Sequence, residues 1–79
     1  MTEDECAAQE LLREVERARK LHSNMCSDLH GWACIHEESQ ELFDAIRGNL
    51  PAREIRKEAI QIGAMALRFL VDRGYLPMT

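Results

Sequence analysis

Four carboxylates, Glu37, Glu38, Glu41 and Asp44, fall within eight residues of the stretch His36-Glu37-Glu38-Ser39-Gln40-Glu41-Leu42-Phe43-Asp44. The sequence around them is apolar and helix-forming. On a helix turning about 100° per residue, Glu37, Glu41 and Asp44 share one stripe and Glu38 flanks it. Like charges at that spacing repel and weaken the helix that carries them. Something must neutralise them: water, basic side chains from elsewhere, or a divalent cation, for which clustered carboxylate oxygens are the preferred ligands. Glu38-x-x-Glu41 is followed across one predicted turn by Glu58-x-x-Gln61. Inward-pointing carboxylates on facing helices are a common way for a bundle to hold divalent metal. The competing reading is a solvated acidic face balanced by Arg53, Arg56 and Lys57.

A second set of donors, Cys26, His30, Cys34 and Glu38, recurs every four residues. These are zinc-type ligands, but one helical stripe does not wrap a tetrahedron, so such a site would need two chains. Buried thiols beside a hydrogen-bonded histidine are the alternative. Trp32 can stack a base, although a tryptophan among apolar helix positions reads first as core.

The elements that must position these residues follow from periodicity and punctuation. Thr2 and Glu5 form a capping-box pattern, and Ala8, Leu11, Val15, Ala18 and His22 repeat at steps of three and four, which predicts a first helix over residues 3–22. Glu10, Arg13, Glu14, Arg17 and Lys20 make its wet face, and we read this helix as scaffold. Ser27 or Asp28 caps a second helix over residues 28–47, with Leu29, Trp32, Ala33, His36, Leu42, Phe43 and Ile46 as its apolar contacts and Gly48-Asn49 as its stop. Pro51 opens a third helix over residues 51–73, closed by Gly74 and Pro77. From Ala59 to Val71 that helix is apolar on nearly every side, apart from a polar seam through Glu58, Gln61, Arg68 and Asp72. The expectation is an all-α fold: one domain over residues 1–79, a three-helix chain with antiparallel helices 2 and 3, completing a helical bundle by oligomerisation.

Composition narrows the function classes. A chain of 79 residues is near the lower limit for a self-sufficient core, which again favours a metal or a partner subunit. Three cysteines cannot all pair within one chain, and neither a signal-peptide pattern nor a membrane-spanning run is present, so a reduced, cytoplasmic protein is expected. A net charge of −4 argues against binding a nucleic-acid polymer, while leaving room for a small phosphate ligand that arrives with its own Mg²⁺.

The order His30-Gly31-Trp32-Ala33, Glu37-Glu38-Ser39-Gln40-Glu41-Leu42, then Lys57-Glu58-Ala59-Ile60-Gln61-Ile62-Gly63-Ala64-Met65-Ala66 resembles the short MazG-like all-α nucleoside triphosphate pyrophosphohydrolases. The likeness covers about residues 28–73 and is carried by helices 2 and 3. It implies cleavage of a nucleoside triphosphate to the monophosphate and pyrophosphate, with Mg²⁺ (or Mn²⁺) as cofactor, in a dimer or tetramer. It maps Glu38 and Glu41 onto the family's first acidic pair and Glu58 onto the first member of the second. Gln61 departs from the pattern, offering an amide oxygen in place of a carboxylate. Under this reading Glu37 or Glu41 takes the proton of the attacking water, and Arg53, Lys57 and Arg68 face phosphate oxygens. The alternatives are a nucleotide- or metal-binding module without turnover, and a structural helical dimerisation protein.

Overall fold

The computed structural model describes residues 1–77 as three α-helices and, among those residues, no strand: α1 (Glu3–Leu21), α2 (Asp28–Arg47) and α3 (Ala52–Asp72). Among the described residues no helix is long and apolar enough to cross a membrane. The local signals at the helix ends are realised. Thr2 Oγ1 accepts from the Glu5 N–H at 3.1 Å while Glu5 Oε1 accepts from the Thr2 N–H at 3.0 Å, closing the capping box. Ser27, not Asp28, caps α2, its Oγ accepting from the His30 N–H at 3.0 Å. Both later helices end in the same pair of reversed hydrogen bonds. In α2 the Leu50 N–H donates to the Ala45 carbonyl and Asn49 to Ile46; in α3 Tyr75 donates to Leu70 and Gly74 to Val71. The residue in the left-handed region is Asn49 (φ 53°) in the first case and Gly74 (φ 75°) in the second, so Gly48 itself stays at φ −83°. Pro51 stands just before α3 rather than within it, as its extended ψ of 152° requires.

Helix α3 is the centre of the molecule. Among the described residues α1 and α2 each pack on α3 and not on each other, which leaves a groove between them floored by α3. Two glycines set how closely the helices approach. A Cβ at Gly31 of α2 would lie 2.4 Å from Cδ2 of Phe69, and one at Gly63 of α3 would lie 2.7 Å from Cδ2 of Leu11. The start of α2 thus meets the end of α3, and α1 crosses α3 near its middle. The core is thin: Val15 and Ala18 of α1, Met25 of the connecting loop, and Ala64 and Met65 of α3.

Helix α2 divides its apolar residues differently from the sequence expectation. Gly31 and Ala45 are buried against α3, with Cys34, Ile35 and Leu42 half-buried on the same side. Leu29, Trp32, Phe43 and Ile46 are on the outside, Trp32 being 55% exposed and stacked on His36 at 5.0 Å. Trp32 is therefore not core in this chain. The reason is geometric: α2 carries apolar residues on two sides, and α3 covers one of them. Leu70 and Val71 at the end of the apolar run of α3 are also exposed.

Candidate metal centre

Each of the three carboxylates at the centre is delivered by a helix face already fixed by packing. Glu38 lies on the buried side of α2, in register with Gly31, Cys34 and Ala45; Glu41 is one turn on; Glu58 comes from the second turn of α3. One oxygen from each lies within 4.8 Å of the other two. The Oε2 atoms of Glu38 and Glu58 are buried without a hydrogen-bond partner among the described residues. None of the ion pairs among the described residues involves any of the three.

The electrostatic consequence is large. Burial, followed by the charges of Glu41 and Glu58, pushes the Glu38 carboxyl up to about 7. Burial and Glu41 raise Glu58 as well, against a smaller opposing effect of Lys57. The basic residues do not balance the cluster as a solvated face would require. Arg56 turns away to pair with Glu10 of α1, and Arg53 is exposed in the first turn of α3. Lys57 alone of the three borders the pocket that contains the carboxylates.

The other candidates named from the sequence scatter. Glu37 is exposed and lines the groove between α1 and α2, while Asp44 is exposed and accepts from Gln40 Nε2 at 3.2 Å. Gln61 borders both the carboxylate pocket and the groove, as does Glu14 of α1. Arg68 is buried deeper along the groove, and Trp32 lies outside it. Of the zinc-type quartet, Cys26 precedes α2 and approaches only His30, with Sγ 3.4 Å from Nδ1; among the described residues its four members do not converge as Glu38, Glu41 and Glu58 do.

Helix α1 contributes more than scaffold. Glu14, Arg17 and His22 complete the wall of the carboxylate pocket. The Glu14 side chain is only 13% exposed, and Arg17 Nε donates to its Oε1 at 2.9 Å, which holds the Glu14 carboxyl below the usual range. A signal for this exists in the sequence: Glu14 precedes the buried Ala18 by four residues and so borders the packed stripe. No protein-family model, curated protein or solved structure matches this chain.

Proposed function

We propose that this chain is a metal-dependent nucleoside triphosphate pyrophosphohydrolase, built on an antiparallel α2–α3 pair and working as a homo-oligomer. The observation that carries this reading is the convergence of Glu38, Glu41 and Glu58, with two buried oxygens unpartnered and, among the described residues, no basic side chain paired to them. Three mutually repelling carboxylates at that spacing fit a hard divalent cation such as Mg²⁺ or Mn²⁺, with the Gln61 amide oxygen as a neutral fourth ligand. When bound, the metal would supply positive charge to the phosphate oxygens and to the leaving pyrophosphate.

The chain's own residues supply the rest. Glu41 within the cluster and Glu37 at the groove rim are the carboxylates that take the proton of a water attacking the α-phosphorus. As that water adds, the bond from the α-phosphorus to the bridging oxygen breaks, and pyrophosphate departs. Lys57 and Arg17, on the wall of the same pocket, are the cations placed for phosphate oxygens. Arg53 is more remote, and Arg68 is too deep for that role.

The exposed apolar residues Leu29, Trp32, Phe43 and Ile46 on α2 favour a second reading, a helical dimerisation protein, which shares the oligomer but not the chemistry. A panel of ribo- and deoxyribonucleoside triphosphates with Mg²⁺ or Mn²⁺ separates the two. The enzyme yields monophosphate and pyrophosphate in equal amounts, and a dimerisation protein is indifferent to both metal and nucleotide.

A further inference from the structure

Helix α2 carries a second ordered face besides the one it packs on α3. Leu29, Trp32, His36, Ser39, Phe43 and Ile46 are all exposed, and they follow one another at alternating steps of three and four. That is the spacing of the a and d positions of a heptad, and at 1.5 Å per residue it runs about 26 Å down the helix. Its apolar members range from 52% (Ile46) to 72% exposed (Leu29). Glu37, Glu38, Glu41 and Asp44 all lie off this stripe, Glu41 on the far side of the helix. Among the described residues no large side chain is fully buried within the chain, so the fold has much to gain from a cover.

Residue types along the stripe read the same in both directions: aliphatic, aromatic, polar, polar, aromatic, aliphatic. A two-fold interface demands this, since residue i then meets residue j while j meets i. When two copies of α2 lie antiparallel, with a positions facing d positions, Leu29 meets the partner's Ile46, Trp32 the partner's Phe43 and His36 the partner's Ser39. Apolar layers close both ends. The imidazole and the hydroxyl, which can share a hydrogen bond, meet at the centre. A slide of one heptad either way sets both polar residues against apolar ones, so the polar layers pin the register. The antiparallel pair also opposes the two helix dipoles, and it brings the Asp28 end of one α2 level with the Arg47 end of the other. A parallel pair would set His36 on the partner's His36 and align the dipoles. A stable dimer takes roughly 600 Å² or more from each chain, and four large apolar side chains more than half uncovered, with His36 and Ser39 between them, supply about that.

We propose that a second copy of this chain docks on this face, as an antiparallel two-fold α2–α2 pair with Trp32 against the partner's Phe43. The inference gives the homo-oligomer its interface and rests on that part of the functional reading, not on turnover. Because Glu41 faces away from the stripe, both carboxylate clusters stay open in the pair.

Sedimentation of the wild type at micromolar concentration should show the dimer. Trp32 is the only tryptophan, so its emission should move to the red as dilution releases the monomer. Trp32→Glu and Phe43→Lys each place an unpaired charge in the interface and should weaken it at least about a hundredfold. Both positions are exposed in the single chain, so each variant should keep its helix content. Mixing the two variants restores one aromatic pair and joins the two new charges. The mixed dimer should be at least about tenfold tighter than either variant with itself. In a parallel pair position 32 would meet position 32, and mixing would gain nothing. If either variant does not fold, the wild-type emission on dilution decides the matter. A wild type that is monomeric at high micromolar concentration, a dimer that survives both substitutions, dissociation that leaves the Trp32 emission unmoved, or a mixture no tighter than its parts would overturn the proposal. Pyrophosphate release by a monomeric wild type would keep the enzyme and remove this interface. A dimer that depends on Trp32 and Phe43 but releases no pyrophosphate would keep the interface and remove the enzyme.

Discussion

The polar seam of α3 has two ends that treat charge in opposite ways. At the C-terminal end the carboxylates of Asp72 and Asp28 are both partnered. Asp72, its side chain 1% exposed, holds Arg19 of α1 and the Met25 N–H of the connecting loop, while Asp28 of α2 receives Arg73 and the Tyr75 hydroxyl at 3.0 and 2.6 Å. At the N-terminal end Glu58 meets Glu38 and Glu41, with no cation paired and two buried oxygens unbonded among the described residues. One helix thus uses buried charge as a clasp at one end and leaves it unresolved at the other. A buried carboxylate that is fully partnered is part of the architecture; one held against its own kind, at a cost to the fold, is where ligand chemistry is to be sought.

The contrast predicts where substitution will hurt stability. Asp72→Ala should do the most damage, about 2–3 kcal/mol, because it strips a part-buried ion pair and orphans the Met25 N–H. Urea denaturation should show the loss, and an unchanged midpoint would mean that the C-terminal clasp does not hold the fold. Gly31→Ala attacks the same end through packing. Its new methyl would collide with Phe69, costing about 1–3 kcal/mol, while the Leu11 side-chain tip opposite Gly63 has more freedom to yield. Thermal melts of alanine variants at the two glycines should rank in that order.

The N-terminal end should show itself through pH, with a smaller effect. The Glu38 carboxyl is raised by burial and by Glu41 and Glu58 to about 7, so the folded chain binds its proton more tightly than the unfolded chain does. Its contribution to stability is full below the ordinary carboxylate value and is lost as pH rises through about 7. Asp72 has the opposite sign. Burial pushes it up, but the Met25 N–H, Arg19 and Arg68 outweigh that and lower it, so its contribution is lost only as pH falls through its depressed value. Without divalent ions the protein should therefore melt lower at about pH 8 than at about pH 5. Glu38→Gln should flatten that alkaline slope and leave the acid limb alone. A slope unchanged in Glu38→Gln would place the strain elsewhere.

Much of this is legible in the sequence because it is local. Capping residues, the Gly48-Asn49 and Gly74 stops and the three helical periods act within a turn or two, and they locate α1, α2 and α3 to within a residue or two. The i,i+3 spacing of Glu38 and Glu41 likewise puts both on one side of α2. What escapes the sequence is what depends on which face meets which. Helix α2 has apolar residues on two sides, and periodicity does not say which side α3 covers, so the pattern alone puts Trp32 and Phe43 on the wrong one. Glu14 reads as part of a wet face and Arg68 as part of a polar seam; only the crossing of α1 over α3 buries them beside the groove. Asp72 reads as one more polar residue in that seam, because its partners Arg19 and Met25 come from distant parts of the chain.

The most direct test of the central claim is pyrophosphate release from nucleoside triphosphates with Mg²⁺, measured for wild type, Glu41→Gln and Gln61→Asp, each checked for an intact fold by its melt. Glu41 contributes to the cluster from an exposed position, so Glu41→Gln should fold normally and lose about 10²–10³ in rate, the usual cost of removing one charge contact from a transition state. Gln61→Asp adds a carboxylate to the same pocket and should hold or raise metal affinity, at some expense in stability from its neighbour Glu14. Equal release by wild type and a folded Glu41→Gln, or no release by wild type from any nucleotide, would contradict the assignment of Glu38, Glu41 and Glu58 as a catalytic metal centre.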